Sequence, residues 1–200
     1  MSMREQIVSA AERVIREQGL ARCTTKEIAE AAHCSEGAIY RHFRSKEDLF
    51  VTVLAERLPG LLPVLRTLPE TVTDGAEVRA TLLNVAQEAM AFFRESMAML
   101  LSVFAEPKLL DRHRAWMQEH NAGPQHATEL LADYLRAGQR AGCVGTDADP
   151  HAAAQLLLGS CYLSAYSALL AGGTTAYDDQ RGAESTVRVL WQGIMPSTAR

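Results

Sequence analysis

The four cysteines, Cys23, Cys34, Cys143 and Cys161, form no C-x-x-C pair and show no zinc-like spacing. That pattern excludes a disulfide framework and suits a reducing cytoplasm. Cys23 and Cys34 flank one expected helix, so they are either a redox-sensing pair or small packing residues, the commoner role of a lone cysteine. Also missing are a G-x-S-x-G elbow, a P-loop, a dinucleotide fingerprint and paired catalytic carboxylates. Cys161 beside Tyr162, or a histidine with Asp133, could be drawn as a reactive pair, but no spacing singles out either; the expectation is no enzyme and no cofactor. His113 and His120 lie seven apart on one helix face, where metal-binding pairs are more often four apart, so a solvated face is expected rather than a metal site. No strand-like alternation, repeat, Gly/Ser linker or low-complexity tract occurs. The first twenty residues are punctuated by Arg4, Glu5, Glu12, Arg13, Arg16 and Glu17, unlike a signal peptide.

What is present is enough for a core: 48% hydrophobic and 22% charged residues over 200 positions, with a net charge of −4. That net charge argues against a wholly basic nucleic-acid coat. Residues 1–50 carry eight Lys/Arg and eight Asp/Glu, yet Ser35–Lys46 holds Arg41, Arg44 and Lys46 against Glu36 alone. Positive field is therefore local.

The pattern is helical throughout, so the chain reads as all-α. Ile7, Ala10, Ala11, Val14 and Ile15 mark an amphipathic first helix ending at Gly19. Thr24 with Glu27 makes a capping box for a second helix, with Ile28, Ala29 and Ala32 inward. His33-Cys34-Ser35 interrupts, and Ser35 caps a third helix whose inward residues are Ile39 and Phe43. Its opposite face carries Gly37, Arg41 and Arg44, flanked by Ala38 and Tyr40. Small residues at one end and cations beyond would let this helix enter a major groove; an ordinary helical hairpin with a solvated basic face has the same periodicity. Ser45 with Asp48 caps a fourth helix. Pro59-Gly60 and Pro63 disturb helical continuity, which places a boundary between the N-terminal helix-turn-helix domain, 1–55, and a larger helical domain, 56–200. In the latter, helices are expected over Val78–Phe93 and Met97–Phe104, and then from Pro107, from Gly123-Pro124 and from Asp149-Pro150, the last ended by Gly172-Gly173. A final stripe of Ala183, Val187, Leu190, Trp191 and Ile194 follows.

Gly19, Thr24-Thr25, Ile28-Ala29, Ala32, Ser35, Gly37, Ile39-Tyr40, His42-Phe43, Ser45-Lys46-Glu47 and Leu49 resemble the N-terminal signature of TetR/AcrR-type transcriptional regulators. The match covers about the first fifty residues. One departure is the turn, Ala32-His33-Cys34-Ser35, where the family usually has Ala-Gly-Val-Ser. Histidine is among the few non-glycine residues tolerated at positive φ. The resemblance implies a repressor that binds double-stranded operator DNA, with Thr24, Thr25, Ser35, Gly37, Ala38, Tyr40, Arg41, His42 and Lys46 as contact residues. It also implies a small-molecule effector and a homodimer formed by the last two helices; a regulator with no effector is the alternative.

For the dimer, the expected interface is Leu158, Cys161, Ala165 and Ala168 with Val187, Leu190, Trp191 and Ile194. A neighbouring stripe of Leu156, Leu163 and Leu170 is apolar too, so the helix must be covered on more than one side, by a second copy or by its own chain. Pro150–Tyr177 contains no charged residue, but Gln155, Ser160, Ser164 and Ser167 interrupt it, so a buried helix is expected and no membrane span. For the effector, Met90, Phe93, Met97, Phe104, Trp116, Met117, Tyr134, Tyr162 and Tyr166 are bulky enough to line a hydrophobic pocket or simply to fill the core.

Overall fold

The structure, a computed structural model, describes residues 1–20, 22–57, 60–172 and 179–196. Ten helices occur among them and no strand: α1 Met3–Gln18, α2 Thr25–Ala31, α3 Glu36–His42, α4 Lys46–Arg57, α5 Leu61–Arg66, α6 Gly75–Ala105, α7 Pro107–Glu119, α8 Pro124–Arg140, α9 Pro150–Leu170 and α10 Asp179–Ile194. Their starts follow local chemistry. Ser2 with Glu5 and Thr24 with Glu27 form reciprocal capping boxes. Asp74 accepts from the Glu77 amide at 2.8 Å, and Asp149 accepts from the His151 and Ala152 amides ahead of a helix that opens on Pro150. Pro59 and Gly173, two of the expected breakers, lie outside the described residues.

The chain forms two compact units that do not follow a cut at residue 55. The first joins 1–58 to 96–121; the second joins 59–95 to 122–200. The expected break between Phe93 and Met97 is also absent, since α6 runs unbroken for 31 residues. Arg94, Glu95 and Ser96 contain no proline or glycine, so nothing stops the helix; the polar interruption marks where it passes from one unit to the other.

In the first unit, Ile7, Val8, Ala11, Ile28, Ile39, Leu49 and Val53 are sealed from solvent, and Val103 and Leu109 from the later part of the chain join the same core. In the second unit the core is built from α6, α8, α9 and α10 around Leu82, Val85, Leu131, Leu135, Leu157 and Ala183. The dimer stripe expected from the sequence belongs to that core. Leu158, Cys161, Val187, Leu190 and Ile194 are buried within a single chain, and Ala165 is too; Ala168 and Trp191 are half-buried. Most of the expected stripe is thus packed inside its own chain, although Leu190 and Ile194 also line an open groove between α9 and α10. The most exposed large apolar residues of α9 and α10 are Leu156 (67% exposed), Leu163 (61%), Leu170 (70%) and Val189 (67%). α9 is also the one helix among the described residues long and apolar enough to cross a membrane, with a third of its apolar window buried.

Candidate nucleic-acid interface

α2 and α3 are seven residues each and meet through a turn closed by backbone hydrogen bonds. His33 takes the left-handed conformation, φ +53°. Its amide donates to Glu30 O at 3.1 Å, and the Cys34 amide donates to Ala29 O at 2.9 Å. These are the two bonds that normally close a helix on glycine. Histidine therefore keeps the geometry expected of glycine, at a steric cost that glycine would not incur.

Ser35 then caps α3 by accepting from the Ala38 amide at 3.2 Å. Ile39 and Phe43 point into the core, 0% and 3% exposed. The helix is thereby rotated so that Gly37, Tyr40, Arg41, His42 and Arg44 are exposed, with Ala38 half-covered. A Cβ added at Gly37 would meet nothing closer than Ser35 Oγ at 3.8 Å, so its lack of a side chain is not required by the chain's own packing. Arg41 makes no hydrogen bond or ion pair among the described residues. Lys46 sits with its ammonium 5.0 Å from the Phe50 ring centroid, a cation–π contact that holds it at the start of α4.

The two threonines are less free than their sequence positions suggest. Thr24 Oγ1 donates to Glu27 Oε2 at 2.8 Å and accepts from the Glu27 amide, while Thr25 Oγ1 donates to Glu36 Oε2 at 3.0 Å. The hydrogen bonds from Thr24 hold the Glu27 carboxyl below its ordinary range. Thr25 is tied to the first residue of α3, which joins the two helices side chain to side chain. All nine residues expected to contact DNA lie in the first unit, and each is exposed or half-buried.

The expected pocket residues are not gathered in one unit. Met97, Phe104, Trp116 and Met117 belong to the first, and Met90, Phe93, Tyr134, Tyr162 and Tyr166 to the second. Phe104 is 63% exposed. Trp116 packs on the N-terminal core and stacks with His113 and His120, ring centroids 6.5 and 4.5 Å away. Burial lowers the His113 pKa. In the second unit Phe93 meets Tyr162 edge to face at 5.5 Å. Tyr134 is buried with Thr81 as its polar neighbour; burial raises its pKa and the hydroxyl of Thr81 counteracts.

Sequence reasoning named the Leu156/Leu163/Leu170 stripe as needing cover, and the structure leaves it exposed. It missed the contact of Arg112 with Asp48, sixty-four residues apart, for which no local signal exists.

A short helix with a small, cationic outer edge, held against two others through a bonded turn, defines a helix-turn-helix DNA-binding regulator. Residues 7–53 match the N-terminal profile of the bacterial regulatory proteins of the tetR family, and residues 80–191 match the C-terminal domain of AefR-like transcriptional repressors. The chain belongs to the TetR family of transcriptional regulators. Among similar proteins, the transcriptional repressor KstR2 of Rhodococcus jostii is 25% identical over 171 residues, covering 80% of this chain and 77% of the relative. The regulator TtgR of Pseudomonas putida is 47% identical over 51 residues, 26% of this chain and 24% of that one. FadR from Bacillus subtilis, solved in complex with stearoyl-CoA, has the same fold, with a TM-score of 0.68 at 20% identity over 95% of this chain and 98% of that one.

Proposed function

We propose that this regulator is a cytoplasmic repressor that binds a palindromic operator as a homodimer and leaves it when a small hydrophobic ligand occupies the second unit. The observation that carries the reading is the outer edge of α3. Gly37 leaves room for the groove floor, Arg41 is free to reach a base or groove edge, and Tyr40 and Lys46 stand where phosphates would pass. Thr25 and Ser35 retain hydroxyl acceptor or donor capacity beside them.

Seven residues of helix make few base contacts, so a second copy adds affinity by linkage. Two copies on a two-fold axis reach successive major grooves when their recognition helices are ~34–36 Å apart or a multiple of it, which requires a roughly palindromic site. The exposed faces of α9 and α10 supply the matching surface. Leu156 and Val189 line an apolar groove of about 650 Å³ between these helices, together with Ala152, Leu157, Thr186 and Gly193. A groove and ridge of this kind can be self-complementary across a two-fold axis.

For the ligand, the second unit offers the buried Tyr134 hydroxyl, with Thr81 beside it, and the aromatic Phe93–Tyr162 pair. The stearoyl-CoA complex of FadR supports a hydrophobic ligand class. The test is a gel-shift titration on the duplex upstream of the chain's own coding sequence over a range of salt. Specific retardation that weakens steeply with rising salt is expected; no retardation at low ionic strength sinks the proposal.

A further inference from the structure

α7 lies within the stretch matched by the C-terminal family profile, yet it packs in the first unit, against α4. The apolar part of that contact is Leu109, 2% exposed, with Leu110 and Trp116 beside it. Its polar part is a two-bond grip. Arg112 Nε and Nη2 both donate to Asp48 Oδ1, at 3.1 and 2.8 Å. The other carboxylate oxygen of Asp48 accepts from the Arg44 amide at 3.2 Å, and the Asp48 amide donates to Ser45 Oγ at 3.1 Å. Only Phe43, Arg44 and Ser45 separate the end of α3 from the start of α4. One carboxylate thus ties α7 to the backbone on which the recognition helix ends. The pair is largely covered, with side chains 30% and 18% exposed, where charge-assisted hydrogen bonds hold their geometry well. Arg112 Nη1 lies 3.7 Å from Glu119, so the guanidinium is oriented from both sides.

We propose that Arg112 is a positioning residue for DNA recognition, acting through Asp48 to fix the α3–α4 turn and with it the direction in which Arg41 and Lys46 point. The inference rests on the DNA-binding reading above and adds a residue from outside the helix-turn-helix to it. Arg112 itself touches no phosphate.

Two measurements on the full chain test it, with Arg112→Met, Arg112→Lys and Asp48→Asn compared with the unaltered protein, each first shown by circular dichroism to be folded. Amide hydrogen exchange needs no DNA. Arg112→Met should speed exchange at residues 43–46 and in α3 while α1 is unchanged, and Arg112→Lys should recover part of the protection. Titration of the upstream duplex should show Arg112→Met binding about tenfold more weakly or worse, with an unchanged salt slope. Asp48→Asn should lose a similar factor, and the double variant little more than either single one. Unchanged exchange at 43–46, or affinity within about twofold of the unaltered protein, overturns the proposal. So does a salt slope lower by about one per protomer, which would make Arg112 a direct phosphate contact. If the unaltered protein binds no duplex, the DNA reading fails by itself, and the exchange comparison still decides whether Arg112 sets the turn.

Discussion

Replacing Leu163 with glutamate should separate the proposed dimer. Leu156, Leu163 and Leu170 sit seven residues apart on α9, with close to two-thirds of each side chain uncovered. Fully burying a leucine contributes about 1.5–3 kcal/mol, so covering the exposed two-thirds contributes roughly 1–2 kcal/mol. A two-fold interface contains each residue twice. Leu163→Glu therefore removes roughly 2–4 kcal/mol per dimer, before any cost of burying a carboxylate. At about 1.4 kcal/mol per tenfold, dimer dissociation should rise by a factor of roughly 30 to 10³. Sedimentation velocity across a concentration series reads this directly. The fold of the monomer should not change, since Leu163 is not part of either core, and the thermal midpoint measured at low concentration checks that. A dimer constant unaltered by Leu163→Glu would refute the assignment of this face. Loss of dimer with Cys161→Ser at an intact fold would point back to the buried stripe.

Other consequences follow from the same geometry. His33→Gly should stabilise the chain by about 0.5–1 kcal/mol, because the turn requires a left-handed residue and histidine incurs a steric cost there; a lower midpoint in thermal denaturation would contradict it. Lys46→Ala should weaken binding to all duplexes alike and lower the salt slope by about one per protomer, with no change in sequence preference. An altered preference would instead assign Lys46 to base contact. Burial pushes the Cys23 and Cys161 thiols up to about 11. Since only the thiolate reacts, about one molecule in a thousand is competent at either site at pH 8. Native protein should then react quickly through Cys34 and Cys143, with Cys23 and Cys161 appearing only on denaturation. Fast labelling of Cys23 in the folded protein would revive a redox role for it.

The N-terminal fold was legible because its signals are local. Thr24, Ser35 and Ser45 announce helix starts by side-chain bonds to amides three residues on. Ile39 and Phe43 fix which way α3 is rotated, and so name the exposed edge in advance. The left-handed turn at His33 was readable from the residues tolerated there. Legibility failed where the deciding partner is distant. α9 is apolar on several sides, so periodicity could not say which stripe its own chain covers. The small residues Cys161 and Ala165 turned out to be where α9 packs inside its unit, and the long leucines were left outside. A break after Phe93 was expected because Arg94 and Glu95 interrupt the apolar run, although neither residue stops a helix. The membership of residues 96–121 in the first unit depends on contacts across more than sixty positions, such as Arg112 with Asp48, and nothing within α7 alone foretells it.

The most direct test is a footprint of the purified protein on its upstream duplex, with the stoichiometry of the complex taken from sedimentation. Two protected half-sites, related by a two-fold axis and centred one helical turn or a whole multiple apart, with two chains per duplex, are the predicted result. A monomer that leaves every duplex unprotected at low ionic strength would contradict the account.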